Sequence, residues 1–156
     1  GKALHLAAGG AGDVTAWDAD QRRMRDLPVR AERAGAQITI AETPRGTFDC
    51  VLTDVPCSGS GAWRRQPEAK WRLTADRLRE LNGIQDSILR KAMDHVAPGG
   101  VLAYATCSLL RSENDDRVDA FLSEADGWSE LSRRQFTPLD GGDGFFVSIL
   151  KRSAET

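Results

Sequence analysis

The stretch FDCVLTDVPCSGSG, residues 48–61, runs from an apolar segment into an acid, a proline, a cysteine and a loop of small residues. Phe48 to Asp54 reads as a strand, so Asp54 and Cys57 stand at that strand's exposed end. A second cysteine occupies a similar place 50 residues later, where VLAYATCS (101–108) closes on Cys107 and Ser108. Two thiols and an acid at neighbouring strand ends decide what kind of fold must surround them.

Outward from this stretch, helical and strand patterns alternate. ALHLAA (3–8) reads as a helix stopped by Gly9-Gly10, and DVTAWDAD (13–20) as a short strand ending in acids. QRRMRDLPVRAERAG (21–35) is a helical pattern that Pro28 should bend or break. QITIAE (37–42) is a strand. After the loop VPCSGSGAWRRQPEAKW comes a long helix, TADRLRELNGIQDSILRKAMDHV (74–96), with apolar positions at 78, 81, 84, 88, 89 and 93 and a PGG stop. The strand VLAYATCS follows, then the helix RSENDDRVDAFLSEA (111–125), whose early acids suit the positive end of its dipole. GFFVSILKR (144–152) is a final alternating strand. Strands separated by helices indicate βαβ units: an α/β fold with a mostly parallel sheet. Ligands bind beyond the carboxyl ends of such strands, and Asp18, Glu42, Asp54 and Cys107 all fall there.

With 156 residues, 40% of them hydrophobic, the chain suffices for one domain with a real core. Residues 1–152 are assigned to that domain and 153–156 to a tail. The 21 basic and 23 acidic residues leave a net charge of -2, so no global basic field draws the protein to nucleic acid. Contact with RNA or DNA has to come from a local patch. No run of 18 apolar residues is present, and no membrane span is expected. Cys50, Cys57 and Cys107 are widely spaced and odd in number, which fits neither a disulfide framework nor a zinc knuckle. The expectation is a reduced, cytoplasmic, monomeric protein without metal. The chain opens GKALHLAAGG with no Met, which points to residues upstream.

Each group has an ordinary reading beside a chemical one. Asp18, ending a strand, is placed to hold ribose hydroxyls of a nucleotide-like cofactor, or to cap the next helix. Cys50, inside FDCVL, is read as core, since cysteine is among the most buried residue types. The Asp-x-Pro-Cys-Ser-Gly context makes Cys57 different. A rigid acid-x-Pro turn suits the holding of a base, with Pro56 stiffening it and Asp54 reaching the ring. If that base were cytosine, whose carbon 5 is a poor nucleophile until a thiolate adds to carbon 6, a protonated Asp54 donating to N3 would stabilise the adduct. The parts required are an acid, a thiol nucleophile and a route for its elimination. A free thiol of pKa near 8.5 is only about 3% ionised at pH 7, so its surroundings must activate it. WRRQPEAKW (63–71) adds Arg64, Arg65, Lys70 and two tryptophans, a combination that suits phosphate contact and base stacking, or an ordinary surface loop. The arginines at 22, 23, 25, 30 and 33 read as a solvated face. His5 and His95 lie in helical patterns and receive no role.

Taken together, DVPCSGSG, RRQPEAKW, YATCS and DGFFVSILKR resemble the RsmB/Sun family of RNA (cytosine-5) methyltransferases, in the family's order along essentially the whole chain. The resemblance implies a Rossmann-like class I methyltransferase sheet, S-adenosylmethionine as cofactor and RNA, ribosomal RNA first, as substrate. It implies that Cys107 of Thr-Cys-Ser is the nucleophile, that Cys57 helps release the product, and that Asp54 contacts the cytosine close to the cofactor. Asp18 matches the acid that holds the cofactor ribose, and Glu42 is the nearest match to the acid beside the adenine. Of the family's cofactor loop only Gly1 and Lys2 have counterparts; LAAGGAG lies too close to Asp18 to be that loop. The strand before the loop is the central one of this fold, and its loss would leave backbone groups on both sides unpaired. The natural polypeptide is therefore expected to extend upstream. Two other readings compete: a catalytically impaired remnant or RNA-binding module of the same fold, and a DNA or tRNA cytosine-5 methyltransferase. In a DNA enzyme the Pro-Cys thiol attacks, and Cys107 has no task.

Overall fold

Phe48–Asp54 forms the strand expected of it, and the rest of the α/β architecture can be built from that element. The computed structural model describes residues 1–10 and 12–154. Ala11, inside LAAGGAG, and the last two residues of the 153–156 tail lie outside them. Two compact units make up the chain, Gly1–Gly46 and the part from Thr47 onward.

In the first unit, helix α1 (Lys2–Ala8) precedes strand β1 (Val14–Ala16), and helix α2 (Leu27–Arg33) leads to strand β2 (Ile38–Ile40). The two strands pair in parallel, Val14 with Ile38 and Ala16 with Ile40. Pro28 does break the helical run, by position: a separate 3-10 turn (Gln21–Met24) comes first, and Pro28 sits in the opening turn of α2, where its missing N–H costs nothing. Arg22, Arg23, Arg25, Arg30 and Arg33 are all exposed.

In the second unit, β3 (Phe48–Asp54) is followed by the short helix α3 (Glu68–Arg72), the long α4 (Ala75–Met93), β4 (Val96–Thr106), α5 (Asp115–Glu124), β5 (Trp128–Phe136) and β6 (Phe145–Arg152). The strand order is β3-β4-β6-β5. β3 and β4 run parallel, while β6 is antiparallel to both β4 and β5. The expected mostly parallel sheet thus holds for β1-β2 and β3-β4, and the C-terminal strands make the second sheet mixed. Thr74 caps α4 by accepting a hydrogen bond from Arg77 N at 3.1 Å. The apolar positions 78, 81, 84, 88, 89 and 93 are all buried or half-buried, as a helical stripe requires. Leu89 and Ala92 of this stripe meet Leu102 and Tyr104 of β4, Val118 and Phe121 of α5, and Phe146 and Leu150 of β6 in one core.

Three expectations change. Helix α4 ends at Met93, and Pro98-Gly99-Gly100 lies inside β4 as a bulge, between the pairs Phe48–Val96 and Cys50–Val101. Gly99 takes φ +75° there, and a Cβ on Gly100 would crowd the carbonyl of Ala97. His95 accordingly sits in the turn after α4, not in a helix. Cys50 is exposed, not core: its neighbour Val51 packs on the core, and successive strand residues point to opposite faces.

The strand β5 has no counterpart in the sequence reading. Its residues, WSELSRRQF, are polar and largely exposed, because β5 is a sheet edge. Arg133 pins it by donating to Asp115 (3.0 Å) and Asp119 (2.6 Å) of α5 and to Glu130 (2.8 Å).

Candidate active site

The parallel ladder brings the two cysteine loops together. Asp54 pairs with Ala105, and Val55 N donates to the Ala105 carbonyl at 3.1 Å, so the chain leaves β3 and β4 at the same level. Cys57 and Cys107 then face each other with their sulfurs 3.3 Å apart, both reduced. Cys107 is exposed and Cys57 half-buried. Gly61 N donates to the Cys107 carbonyl at 3.0 Å, and Gly144 N donates to the Gly61 carbonyl at 2.9 Å, tying both loops to the start of β6.

The thiols are not equivalent. The hydrogen-bonded Cys107 thiol, then burial, push the Cys57 thiol above its ordinary range; the backbone N–H groups of Gly59 and Cys107 oppose this more weakly. Cys57 therefore keeps its proton at neutral pH.

Beneath the thiols lies a buried polar network that the sequence reading missed. The Glu113 carboxylate accepts four hydrogen bonds: from Ser58 N (2.8 Å) and Gln85 Nε2 (3.1 Å) at Oε1, and from Ser58 Oγ and Ser108 Oγ (both 2.5 Å) at Oε2. Gln85 Nε2 also donates to the Pro56 carbonyl at 2.9 Å, and the Tyr104 hydroxyl to the Glu113 carbonyl at 2.6 Å. Burial, then the charge of Glu113, push the Tyr104 phenol up. Asn114 receives Thr106 Oγ1 on its Oδ1 at 2.6 Å and donates to the Ser108 carbonyl at 2.9 Å. Gln85, Thr106, Ser108, Glu113 and Asn114 are fully buried. One signal was available: Gln85 lies four residues from both Leu81 and Leu89, on the stripe that faces the core. A polar side chain there needs partners. Glu113, grouped with the helix's early acids, precedes α5; Asp115 and Asp116 occupy its first turn.

The other expected residues are placed as follows. Pro56 is exposed, its carbonyl held by Gln85. Arg64 and Lys70 are exposed, with Lys70 Nζ 5.5 Å from the centre of the Trp71 ring, itself 82% exposed. Arg65 instead forms a two-pronged pair with Asp143, Nε at 2.9 Å and Nη2 at 2.5 Å. In the first unit, Asp18 and Glu42 follow the C-terminal ends of β1 and β2, and Trp17 Nε1 donates to the Glu42 carbonyl at 2.8 Å. The helix-capping alternative for Asp18 falls to Asp20, whose side chain accepts from Arg22 N; Asp18 Oδ1 accepts from Asp20 N at 2.8 Å. Two carboxylates at adjacent strand ends fit the hydroxyl and amino groups of a nucleoside. Gly1 and Lys2 begin α1 and are exposed.

Residues 1–151 match the model of a family described as 16S rRNA methyltransferase RsmB/F. Ribosomal RNA small subunit methyltransferase B of Xylella fastidiosa is 36% identical over 88% of the chain and 37% of its own length. The protein of the same description from Erwinia tasmaniensis is 36% identical over 96% of the chain and 39% of its own length. The chain thus spans about two fifths of the length of the curated relatives it matches. Among solved structures, PH0851 superposes with a TM-score of 0.84 at 27% identity, over 90% of this chain and 37% of that one. NSun6 from Pyrococcus horikoshii with SFG has a TM-score of 0.86 over 100% of this chain and 46% of that one; at 22% identity the likeness is one of fold.

Proposed function

This chain belongs to the RsmB/F family of 16S rRNA methyltransferases, and from that premise we propose that it carries the catalytic thiols of an RNA cytosine-5 methyltransferase. The observation that carries the reading is the pair of reduced thiols 3.3 Å apart, one exposed and one half-buried.

Cys107, the exposed thiol, attacks carbon 6 of a cytosine, while the Asp54 carboxyl shares a proton with N3 of the ring. When bound, S-adenosylmethionine supplies the methyl group to carbon 5; Asp18 and Glu42 are the groups that hold its ribose and adenine. Release follows from the second thiol. As the carbon–sulfur bond breaks, the Cys57 proton passes to the departing Cys107 sulfur, and the proton lost from carbon 5 restores the Cys57 thiol. The proton that Cys107 gives up to solvent when it attacks is the one proton that the methyl transfer releases overall, so charge and protons balance. The reverse casting, with Cys57 as nucleophile, is disfavoured because Cys57 is half-buried while Cys107 is exposed to an incoming base. Arg64, Lys70 and Trp71 offer the RNA phosphate and stacking contacts.

Adduct trapping tests this. The full-length protein is incubated with S-adenosylmethionine and RNA containing 5-fluorocytidine, then run on a denaturing gel. Wild type retains the RNA, Cys107→Ser does not, and Cys57→Ser accumulates adduct even on ordinary RNA. Loss of trapping in Cys57→Ser with retention in Cys107→Ser reverses the roles; loss of trapping in wild type removes the covalent mechanism.

A further inference from the structure

We propose that Glu113 is the positioning residue of the thiol pair: its buried carboxylate clamps the Cys57 loop to the Cys107 loop and sets the spacing of the sulfurs. The proposal rests on the reading of Cys57 and Cys107 as the reacting pair. Ser58, bound through both its N–H and its hydroxyl, adjoins Cys57; Ser108, bound through its hydroxyl, adjoins Cys107. A single carboxylate therefore grips the residue after each cysteine. Gln85 of α4 completes the grip at Oε1, and Tyr104 of β4 holds the Glu113 backbone.

A carboxylate only accepts, so the Ser58 and Ser108 hydroxyl protons both go to Glu113 Oε2. With the Ser108 proton committed there, the Ser60 hydroxyl, which accepts from Leu109 N at 2.8 Å, turns its own proton to Ser108 Oγ at 3.0 Å. Ser108 Oγ also receives Leu110 N at 3.0 Å. Both of its lone pairs are then taken, and its proton goes to Glu113 Oε2. At Oε1 the partners are a backbone N–H and an amide NH₂, which only donate. Four donors converge on one side chain, and only a carboxylate accepts at both oxygens. Glutamine, the same size, is a poorer clamp in either orientation. Its NH₂ toward the serines forces both hydroxyls to turn their protons away and exchanges charge-assisted bonds for neutral ones, and toward Oε1 it meets the Ser58 N–H and the Gln85 NH₂, which only donate. Weakened bonds of this kind in a buried site let the loops that made them shift.

The readout is the thiol spacing itself. Diamide takes two electrons and two protons from a pair of thiols within reach, leaving a disulfide and the corresponding hydrazine. In the full-length protein, peptide mapping follows closure of Cys57 to Cys107 with time. Glu113→Gln is expected to slow closure about tenfold and lower kcat for RNA methylation by about 10- to 100-fold, with KM for RNA nearly unchanged. Ser58→Ala, which removes one bond of the four, should do both to a smaller degree. Wild-type closure and kcat in a folded Glu113→Gln protein overturn the proposal. Should circular dichroism find Glu113→Gln unfolded, Ser58→Ala decides: slower closure with lower kcat supports the clamp, and wild-type values for both overturn it. Slow closure in Glu113→Gln alongside a wild type that methylates no RNA leaves the clamp standing and removes the proposed reaction instead.

Discussion

Gly61 and Gly144 lie backbone against backbone, with the Gly144 N–H donating to the Gly61 carbonyl at 2.9 Å. Each carries no side chain because there is no room for one. A Cβ on Gly61 would overlap the Gly144 carbonyl, and a Cβ on Gly144 would come within 2.6 Å of Leu109 Cδ2. The contact joins the Cys57 loop to the entry of β6, and the Gly61 N–H extends the join to Cys107.

Gly61→Ala is therefore expected to destabilise the protein by about 1–3 kcal/mol, as overpacking does, and to lower turnover by shifting the Cys107 carbonyl. Gly83, in the middle of α4 with open space where a Cβ would stand, is the contrast. Gly83→Ala should stabilise by about 0.5–1 kcal/mol. Urea denaturation midpoints of the two variants should move in opposite directions.

The raised Cys57 thiol has a pH signature. Between pH 7 and 9, iodoacetamide should label Cys107 well ahead of Cys57, as read by peptide mapping. The same shift bears on stability. Below about pH 8.5 the thiol is protonated in both the folded and unfolded states, and its contribution is fully present. As pH rises further the unfolded thiol ionises while the folded one resists, so stability falls. Cys57→Ala should flatten that alkaline loss in denaturation curves taken from pH 7 to 10.

Thr106 donates to Asn114 Oδ1 and accepts from Ser108 N at 3.1 Å, with no exposure to water. Thr106→Val keeps the shape and removes both bonds, leaving the Ser108 N–H and Asn114 Oδ1 unsatisfied. The expected cost is about 1–3 kcal/mol. Thr106→Ser, which keeps the hydroxyl, should recover most of it, measured by thermal unfolding of both variants.

Arg64 and Arg65 are adjacent and yet should contribute unequally to RNA binding. Arg65 is engaged by Asp143, whose carboxyl it holds below the usual carboxylate range, so less of its charge is available to phosphate. Arg64→Ala should reduce the slope of log affinity against log salt by about 0.7, one phosphate contact on a single strand. Arg65→Ala should change it little, and Asp143→Asn should steepen it. Filter binding at several salt concentrations separates the three.

The elements legible in the sequence are those with strong local periodicity. Phe48–Asp54 was readable residue for residue, and the stripe of α4 came from its 3–4 spacing. Strand β5 was not legible, because an edge strand exposes polar residues on both faces, and what holds WSELSRRQF in place is β6 and the carboxylates around Arg133. The Pro98-Gly99-Gly100 stretch reads locally as a stop, and only pairing with β3 makes it a bulge within a continuing strand.

From the sequence came the α/β class, the family resemblance and the two cysteines at strand ends, because motifs and alternation are local properties that the chain carries before it folds. Tertiary structure decided the rest of the site. Parallel pairing set Asp54 against Ala105 and so brought together two thiols 50 residues apart in the chain, at 3.3 Å. It also gave Glu113 its role: a glutamate in a run of acids reads as surface, and becomes a clamp only when Ser58, Gln85 and Ser108 converge on it. Hydrogen bonds among buried groups depend on which donors the fold delivers to one point, and no local pattern encodes that.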